Sequence, residues 1–147
     1  MNPDTLAVVL DQPQQLRLQR LALTPPGEED VLVDIEWSGI STGTERLLWS
    51  GQMPPFPGMG YPLVPGYESV GRVALAGEKS GRAVGDRVFV PGARCFGPVR
   101  GLFGGAAAHL VVPGARTVTL AQGLEDQAVL LALAGTAYHA LAAPGAR

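Results

Sequence analysis

The sequence predicts a mainly β domain, built from short strands that form a barrel or a sandwich. Glycine and proline occur 20 and 13 times among the 147 residues, and they separate short apolar runs instead of clustering in repeats. This pattern is typical of strands joined by tight turns. A hydrophobic fraction of 46% excludes wholesale disorder and supplies enough apolar side chains for one core.

Three apolar runs near the start of the chain predict consecutive strands. Residues 5–10 are apolar and β-branched, residues 15–23 alternate between apolar and polar side chains, and residues 31–40 alternate cleanly. The three runs together predict a meander that opens the barrel or sandwich. The apolar face of the second run is predicted to carry Leu16, Leu18 and Leu21.

A short helix and a proline-rich loop follow these strands. Residues 42–50 predict one or two helical turns, with a threonine cap and a stop at Gly51. Residues 51–65 contain five prolines, so this segment is not expected to form a central strand. A long loop with apolar side chains either packs on itself or receives a ligand. The large apolar side chains of this loop are Met53, Phe56, Met59 and Tyr61.

The second half of the chain predicts further strands and one helix. Residues 124–142 carry alanine and leucine at helical spacing, and Pro144 and Gly145 predict the end of this helix. Because apolar residues lie nearly all round it, the helix is predicted to be buried, against a neighbour that the barrel alone does not supply. Strands are predicted at residues 69–76, 87–91 and 117–120, and a hairpin with a glycine-rich tip at residues 99–112.

Charge and cysteine content exclude several classes of protein. The net charge is −2 and there is no basic run, so no nucleic-acid partner is predicted. The longest apolar stretch, residues 128–134, is far shorter than the ~20 residues of a membrane span, and the first residues lack a signal-peptide pattern. The single cysteine, Cys95, excludes an internal disulfide and predicts a cytoplasmic location.

The sequence motifs give little support for a metal site, a hydrolase active site or a phosphate-binding loop. Zinc prefers thiolate and imidazole ligands, and no two of Cys95, His109 and His139 have ligand spacing, so no metal site is predicted. No Gly-x-Ser-x-Gly elbow is present. The glycine-rich residues 101–105 lack the spacing and the lysine of a phosphate loop.

A group of hydroxyls and acids beside the apolar loop remains as the candidate site. By themselves, the residues at 41–45 are best explained by helix capping, and Glu68 by a buried structural acid. The group comprises Ser41, Thr42, Thr44 and Glu45 at the start of the predicted helix, and Tyr67 and Glu68 after the loop.

Three sequence motifs favour a functional site over a purely structural role for this group. Residues 39–45 read Gly-Ile-Ser-Thr-Gly-Thr-Glu, residues 64–73 contain Pro-Gly-Tyr-Glu-Ser-Val-Gly, and residues 84–88 read Val-Gly-Asp-Arg-Val. In this order they resemble the N-terminal, GroES-like catalytic domain of the medium-chain dehydrogenase/reductase superfamily. The resemblance implies a partly open, GroES-like β-barrel over residues 1–122. It also implies that residues 123–147 form a helix leading toward a nucleotide-binding domain that lies outside this chain.

Departures from the family pattern imply a zinc-independent member. The family's zinc-binding cysteine corresponds to Ser41 or Thr42, and its zinc-binding histidine corresponds to Tyr67. The histidine of the family's proton relay falls near Leu47, and the four-cysteine structural lobe is absent. Lewis-acid polarisation of the substrate is therefore not assumed.

A narrower resemblance suggests the substrate. Residues 37–49, 53–62 and 89–96 resemble the family of bacteriochlorophyllide a dehydrogenases, which oxidise a 3-(1-hydroxyethyl) group on a tetrapyrrole ring to 3-acetyl with NAD. It implies a catalytic domain that is expected to be inactive by itself, a possible homo-oligomer, and membrane contact through the substrate. Two alternatives stay open: a zinc-independent quinone-type reductase, and a non-enzymatic GroES-like binding module.

The resemblance also implies roles for individual residues. Thr44 matches the family hydroxyl that bonds the substrate alcohol, and Tyr67 and Glu68 complete the expected catalytic group. Thr136 matches the position that packs on the nicotinamide, and Arg46 or Arg94 is within the expected reach of a propionate. Packing of the loop on the barrel is the alternative for the aromatic residues, and it is favoured for Met53 and Met59. The expected substrate contacts are Thr42, Glu45, Trp49, Phe56 and Tyr61.

Overall fold

Two β-sheets enclose the main core of the chain in the computed structural model, which describes residues 3–143. The first sheet has the strand order β2-β1-β4-β7 and the second has the order β8-β3-β5-β6-β9. The strands are β1 (Asp4–Gln12), β2 (Gln15–Ala22), β3 (Asp30–Ser38), β4 (Leu63–Val64), β5 (Ser69–Ala76), β6 (Arg87–Val90), β7 (Arg100–Gly101), β8 (His109–Pro113) and β9 (Val118–Thr119). The helices are α1 (Thr44–Ser50) and α2 (Leu131–Ala142), with short 3₁₀ turns at Gly114–Arg116 and Asp126–Leu130.

The segment before β8 joins the two sheets. The amide of Val8 donates to the Ala106 carbonyl and the amide of Ala108 donates to the Leu6 carbonyl, both at 2.9 Å. The amide of Ile35, in the other sheet, donates to the Ala108 carbonyl at 2.9 Å. The described strands form this seam without closing into a barrel, which confirms the predicted mainly β, partly open GroES-like architecture.

The main core lies between the sheets and consists largely of β-branched side chains. Val9 from the first sheet and Val33, Val73 and Val88 from the second are almost fully buried and pack in one cluster with Phe96. Such residues suit a pleated, half-buried surface, which is why the alternating runs in the sequence form strands.

The predicted meander is wrong, because β3 belongs to the second sheet. Along β2 the apolar side chains also divide between two faces: Leu21 is buried, whereas Leu16 and Leu18 are 53% and 64% exposed. Side chains alternate with a period of two along a strand, so position 21 lies on the face opposite to positions 16 and 18. The prediction that all three leucines share one face is therefore wrong for Leu21.

The predicted hairpin at residues 99–112 is also wrong. Strand β7 pairs in parallel with β4, and β8 pairs with β3 in the other sheet. The glycines in and after β7 allow close backbone approach: a Cβ atom on Gly101 or on Gly104 would lie 1.9 Å from the Ala93 carbonyl oxygen. Strand β4 itself lies inside the first sheet, contrary to the expectation for residues 51–65. A strand is possible here because the prolines, Pro62 and Pro65, stand on either side of the two paired residues. Both paired residues therefore keep a backbone N–H group that can donate a hydrogen bond.

Helix α1 begins two residues later than predicted and lacks a threonine cap. Its N-cap residue is Gly43, and the Ser41 hydroxyl accepts a hydrogen bond from the Thr44 amide at 3.3 Å. Gly51 ends the helix with a φ of 71°, in the left-handed region that favours glycine, which confirms the predicted stop.

Helix α2 is exposed, contrary to the prediction that it is buried. None of its residues is buried, because the elements described here pack only against its beginning, at Leu131 and Ala132. The helix also starts later than residue 124, after a 3₁₀ turn. Across residues 3–143, no helix has both the length and the apolar character needed to cross a bilayer. The predicted stop at Pro144 and Gly145 lies outside the described residues.

Candidate active site

An open apolar groove of about 660 Å³ lies between the outer faces of β1 and β2, the end of β3, and α1. Its volume is in the range of small-molecule sites, and apolar surface of this extent usually marks a binding site. The large apolar residues that line it include Leu6, Leu16, Leu18, Trp37, Ile40 and Trp49. The polar side chains at one end are Glu36, Ser38, Ser41, Thr42, Glu45 and Arg46.

A β-bulge turns the end of β3 toward this groove. Ile35 pairs with Gly71 and Trp37 pairs with Val70, so two steps along β3 match one step along β5. A bulge of this kind re-aims the side chains that follow it. Trp37 is consequently 51% exposed at the groove instead of buried in the core, although it continues the buried alternation of Val31 and Val33.

Two buried acidic side chains lie near the polar end of the groove, Glu45 in its lining and Glu68 behind Gly39. Glu68 is only 4% exposed, and its Oε1 has no hydrogen-bond partner among residues 3–143. Both carboxyl oxygens of Glu45 are also buried and, within the described chain, equally unpartnered. Gly39 makes room for Glu68, because a Cβ atom at position 39 would lie 2.2 Å from Glu68 Oε2. The lack of a side chain at position 39 therefore allows a buried carboxyl to reach the wall of the groove.

Burial makes both carboxyl groups weaker acids than usual. Burial raises the pKa of Glu68 above its ordinary value of 4.5. The pKa of Glu45 is also raised, chiefly by burial and further by the charge of Glu68. The amide of Glu45, together with the amide and hydroxyl of Ser41, lowers the pKa of Glu45 by less than burial raises it. No neighbouring group lowers the pKa of Glu68 in this way.

The raised pKa values predict that these acids destabilise the folded chain as the pH rises. A carboxyl whose pKa is higher in the folded than in the unfolded state contributes stability below its unfolded value, near 4.5, and this contribution is lost as the pH rises through the folded value. The measurement is the free energy of unfolding from urea titrations at several pH values. We expect the difference between the wild type and Glu68→Gln (wild type minus variant) to fall as the pH rises through the folded pKa of Glu68. Glu28→Gln, which changes an exposed carboxylate bound to Lys79, is the control. A difference for Glu68→Gln that stays constant with pH would contradict the raised pKa.

Three of the predicted site residues line the groove. Thr42, Glu45 and Trp49 do so, and Glu68 lies behind its wall at Gly39. Thr44 begins α1 without lining the groove. The ring of Tyr67 packs edge to face on Phe103, with centroids 5.7 Å apart, also outside the groove lining. The catalytic roles of these residues stay predictions.

The proline-rich loop packs against the rest of the domain and forms a second hydrophobic cluster. Four buried leucines form its centre: Leu10, Leu48, Leu63 and Leu102. Met53, Phe56, Met59 and Tyr61 pack against them, and the Tyr61 hydroxyl donates to the Leu48 carbonyl. Phe56 also borders a second cavity of about 520 Å³, together with Arg94. The structure does not bring Phe56 and Tyr61 to the main groove, and their contact with substrate stays a prediction.

The candidate cofactor and metal residues lie apart from one another. Thr136 is exposed on α2, and its hydroxyl donates to the Ala132 carbonyl at 3.0 Å. Cys95 is buried in the main core, where burial raises the pKa of its thiol. His109 Nδ1 lies 2.8 Å from an Asp34 carboxyl oxygen. In the part of the chain that the structure describes, no three His, Cys, Asp or Glu side chains gather as metal ligands.

Sequence analysis missed the groove wall formed by Leu6, Leu16, Leu18 and Trp37. The available signal was the run at residues 5–10, which is apolar on both faces of its strand. A strand that is apolar on both faces is covered on both faces, or exposes one of them for a ligand. The position of Ser41 in the groove lining had no local signal, because capping explains the same residue.

Comparison with known proteins identifies relatives that carry a named activity. Two curated proteins are called 2-desacetyl-2-hydroxyethyl bacteriochlorophyllide A dehydrogenase. The one from Cereibacter sphaeroides is 56% identical over an alignment of 143 residues that covers 94% of this chain and 45% of the relative. The one from Rhodobacter capsulatus is 54% identical over 140 residues, which are 95% of this chain and 45% of the relative. The chain thus spans about half the length of these curated relatives.

A solved structure and a family description agree with the fold. The crystal structure of a short chain alcohol dehydrogenase from E. coli CFT073, complexed with NADH, is similar with a TM-score of 0.69 and 25% identity, over 87% of this chain and 42% of that chain. Residues 27–122 match the alcohol dehydrogenase GroES-like domain. Because that match covers well over half of the chain, and because the motifs and the two-sheet architecture agree with it, this chain belongs to the alcohol dehydrogenase GroES-like domain family of the medium-chain dehydrogenase/reductase superfamily.

Proposed function

We propose that this chain is the catalytic, substrate-binding part of an NAD-dependent dehydrogenase that oxidises the 3-(1-hydroxyethyl) group of bacteriochlorophyllide a to 3-acetyl. The observation that carries the proposal is the apolar groove, which ends in hydroxyls and buried carboxyls. The names of the two curated relatives support the substrate. Residues 1–122 form the substrate domain in this proposal, and residues 123–147 form the connection to a dinucleotide-binding part.

The groove has the properties that a flat, apolar ring requires. The exposed indoles of Trp37 and Trp49 supply flat apolar surface for a tetrapyrrole, and Leu18 supplies an aliphatic wall. The guanidinium of Arg46 at the same groove suits the ring's propionate, because arginine pairs well with carboxylates. In this pose the hydroxyethyl group points to the polar end of the groove.

The donor set of the site fits nicotinamide chemistry without zinc. The bound nicotinamide supplies the hydride acceptor, and this chain supplies position and proton handling. The residues at the family's zinc positions are the hydroxyls Ser41 or Thr42 and the phenol of Tyr67, whereas zinc prefers thiolate and imidazole. We therefore derive no step through a metal. Thr136 is the proposed contact of this chain with the cofactor.

The dehydrogenase proposal has more support than its two alternatives. A quinone-type reductase and a binding module share the fold, but the relatives at 56% and 54% identity are both named as dehydrogenases of a bacteriochlorophyllide. A cytoplasmic location, a homo-oligomer and membrane contact through the substrate stay predictions.

Titration of the chain with 3-hydroxyethyl bacteriochlorophyllide a, followed by visible absorbance, tests the proposal. We expect a saturable spectral shift, with a Kd at least tenfold higher for Trp49→Ala, because an aromatic anchor in a binding site is typically worth more than about 1.4 kcal/mol. Tyr138→Ala, which removes an exposed ring on α2 away from the groove, is the matched control and should bind like the wild type.

Two further measurements test the loop contact and the reductase alternative. Phe56→Ala tests the predicted contact of the loop, and a wild-type Kd would assign Phe56 to packing alone. A quinone competitor tests the reductase alternative. Binding of the quinone with no shift from the pigment would contradict the proposed substrate.

A further inference from the structure

Arg87, from the motif at residues 84–88, is the first residue of β6 and faces the segment that leads into α2. Side chains alternate along a strand, so Arg87 and Phe89 lie on the same face of β6. On that face Phe89 packs against Ala128, in the 3₁₀ turn before α2. The function proposed above gives the side chain of Arg87 no role.

The guanidinium of Arg87 makes three polar contacts that join separate parts of the chain. Its Nε lies 3.0 Å from Glu36 Oε2, its Nη2 donates to the Glu125 carbonyl at 3.0 Å, and its Nη1 donates to the Leu124 carbonyl. Only 14% of the Arg87 side chain is exposed, so these contacts are largely shielded from water. Because the guanidinium is planar and its N–H groups point in fixed directions, this Arg87 bridge fixes residues 124–125 relative to β3 and β6.

The Arg87 bridge is the polar attachment of the segment that carries α2. Between described residues, no hydrogen bond other than those of Arg87 joins residues 121–143 to the preceding part of the chain. The other attachment is apolar, where Ala128 packs with Val70 and Phe89 and Leu131 lies beside them. Apolar contacts are not directional, so they hold the 3₁₀ turn in place without fixing the direction in which α2 leaves it.

We propose that Arg87 is a positioning residue of the dehydrogenase, which holds the beginning of α2 in a fixed place relative to the groove. This inference rests on the proposed function, in which Thr136 of α2 contacts the cofactor and residues 123–147 connect to the dinucleotide-binding part. Glu36, at one end of the bridge, lines the groove. Reacting atoms must lie about 3–3.5 Å apart, and a misplacement of about 1 Å costs on the order of 10²-fold in rate. A displaced α2 therefore slows the reaction without changing the groove itself.

Arg72 provides a matched control, because it binds the same carboxylate. Its Nε lies 2.8 Å from Glu36 Oε1, and in the described part of the chain it has no hydrogen bond to residues 121–143. Removal of either arginine leaves Glu36 with one cation, so the loss of an ion pair is common to Arg72→Gln and Arg87→Gln. Only Arg87→Gln also releases the two carbonyls before α2. The difference between the two variants thus isolates the attachment of the helix.

Amide hydrogen exchange at residues 124–135 tests the Arg87 bridge without pigment or NAD. We expect exchange there to be about tenfold faster or more in Arg87→Gln, because a helix of 12 residues is marginal without its attachment. Exchange in the strands should stay within a few-fold of the wild type, and Arg72→Gln should match the wild type at residues 124–135. Arg87→Lys keeps the positive charge but has one nitrogen instead of a fork, so it should also exchange faster.

Kinetics in an enzyme that also contains the dinucleotide-binding part test the consequence for the reaction. We expect kcat for acetyl formation to fall about tenfold or more in Arg87→Gln and in Arg87→Lys, with pigment Kd within threefold of the wild type. Arg72→Gln should keep kcat within a few-fold. A merely structural role of Arg87 would reduce the amount of folded enzyme and leave kcat per folded molecule unchanged.

The two readouts separate the positioning role from the proposed function. Wild-type exchange at residues 124–135 in folded Arg87→Gln, or a wild-type kcat, would overturn the positioning role. Equal losses of kcat in Arg87→Gln and Arg72→Gln would assign the effect to Glu36 and overturn it as well. Should Arg87→Gln fail to fold, Arg87→Lys decides by the same readouts. A wild-type enzyme that forms no acetyl product would overturn the proposed function, whereas faster exchange in Arg87→Gln would still support the attachment of α2.

Discussion

Alanine at position 71 is expected to remove a large fraction of the stability of the fold. Gly71 lies in β5 at the bulge of β3, where a Cβ atom would stand 2.1 Å from the Asp34 carbonyl oxygen and 2.9 Å from Ile35 Cα. Both neighbours are backbone atoms, so only separation of the strands relieves the contact. Overpacking of this kind costs about 3 kcal/mol or more, a large fraction of the about 5–15 kcal/mol that stabilise a typical domain. Urea unfolding of Gly71→Ala measures the loss.

Gly135→Ala is the matched control for this prediction. Apart from the neighbouring residues and the backbone of its own helix, no described atom lies within 4 Å of a Cβ built at position 135, and the residue is inside α2. Alanine is favoured over glycine in a helix interior by about 1 kcal/mol, so this variant should be equally or more stable than the wild type. Equal stability of Gly71→Ala and Gly135→Ala would contradict the close approach of β3 and β5. The experiment also tests the bulge that turns Trp37 to the groove.

Alanine at position 39 is expected to inactivate the site while leaving the core intact. Its Cβ atom would lie 2.2 Å from Glu68 Oε2 and 2.9 Å from Glu68 Cβ, so the Glu68 side chain must move. A displacement of about 1 Å in a catalytic group costs on the order of 10²-fold in rate. In an enzyme that also contains the dinucleotide-binding part, we expect Gly39→Ala to lower the rate of acetyl formation by that factor, with little change in pigment Kd.

Gly43→Ala provides the comparison on the same loop. A Cβ atom at position 43 would meet only Ser41 Oγ, at 3.9 Å, which is ordinary contact, and the backbone there has a right-handed helical conformation that alanine adopts readily. This N-cap substitution should cost less than about 1 kcal/mol in stability and leave the rate nearly unchanged. A fast Gly39→Ala variant would show that the position of Glu68 does not matter for the reaction.

Local patterns in the sequence correctly predicted those elements whose cause is local. Strand β5 has the predicted bounds, because its apolar run lies between turn residues. Gly51 ends α1 as predicted, because a left-handed residue at a helix end favours glycine. The motifs at residues 39–45, 64–73 and 84–88 were sufficient for the family, which the match over residues 27–122 confirms.

Features that depend on distant partners were predicted less well. Strand β7 pairs with β4 instead of β8, because the glycines after it allow the backbone to cross close to Ala93. A sequence pattern contains no information about which strand lies next to another when the connection is long. The same reason explains why the third predicted strand was not expected in the second sheet and why helix α2 was not expected to be exposed.

The sequence by itself thus determined the class of fold, the family and the chemical types of the site residues, because these depend on periodicity, turn chemistry and local motifs. Only the tertiary structure decided which of those residues meet. It places Glu68 against Gly39 in the wall of the groove, aims Trp37 outward at a bulge, and separates Thr44 and Tyr67 from the groove. The physical reason is that burial, pKa and the shape of a groove arise from contacts between segments far apart in the chain, and these contacts exist only after the sheets have packed.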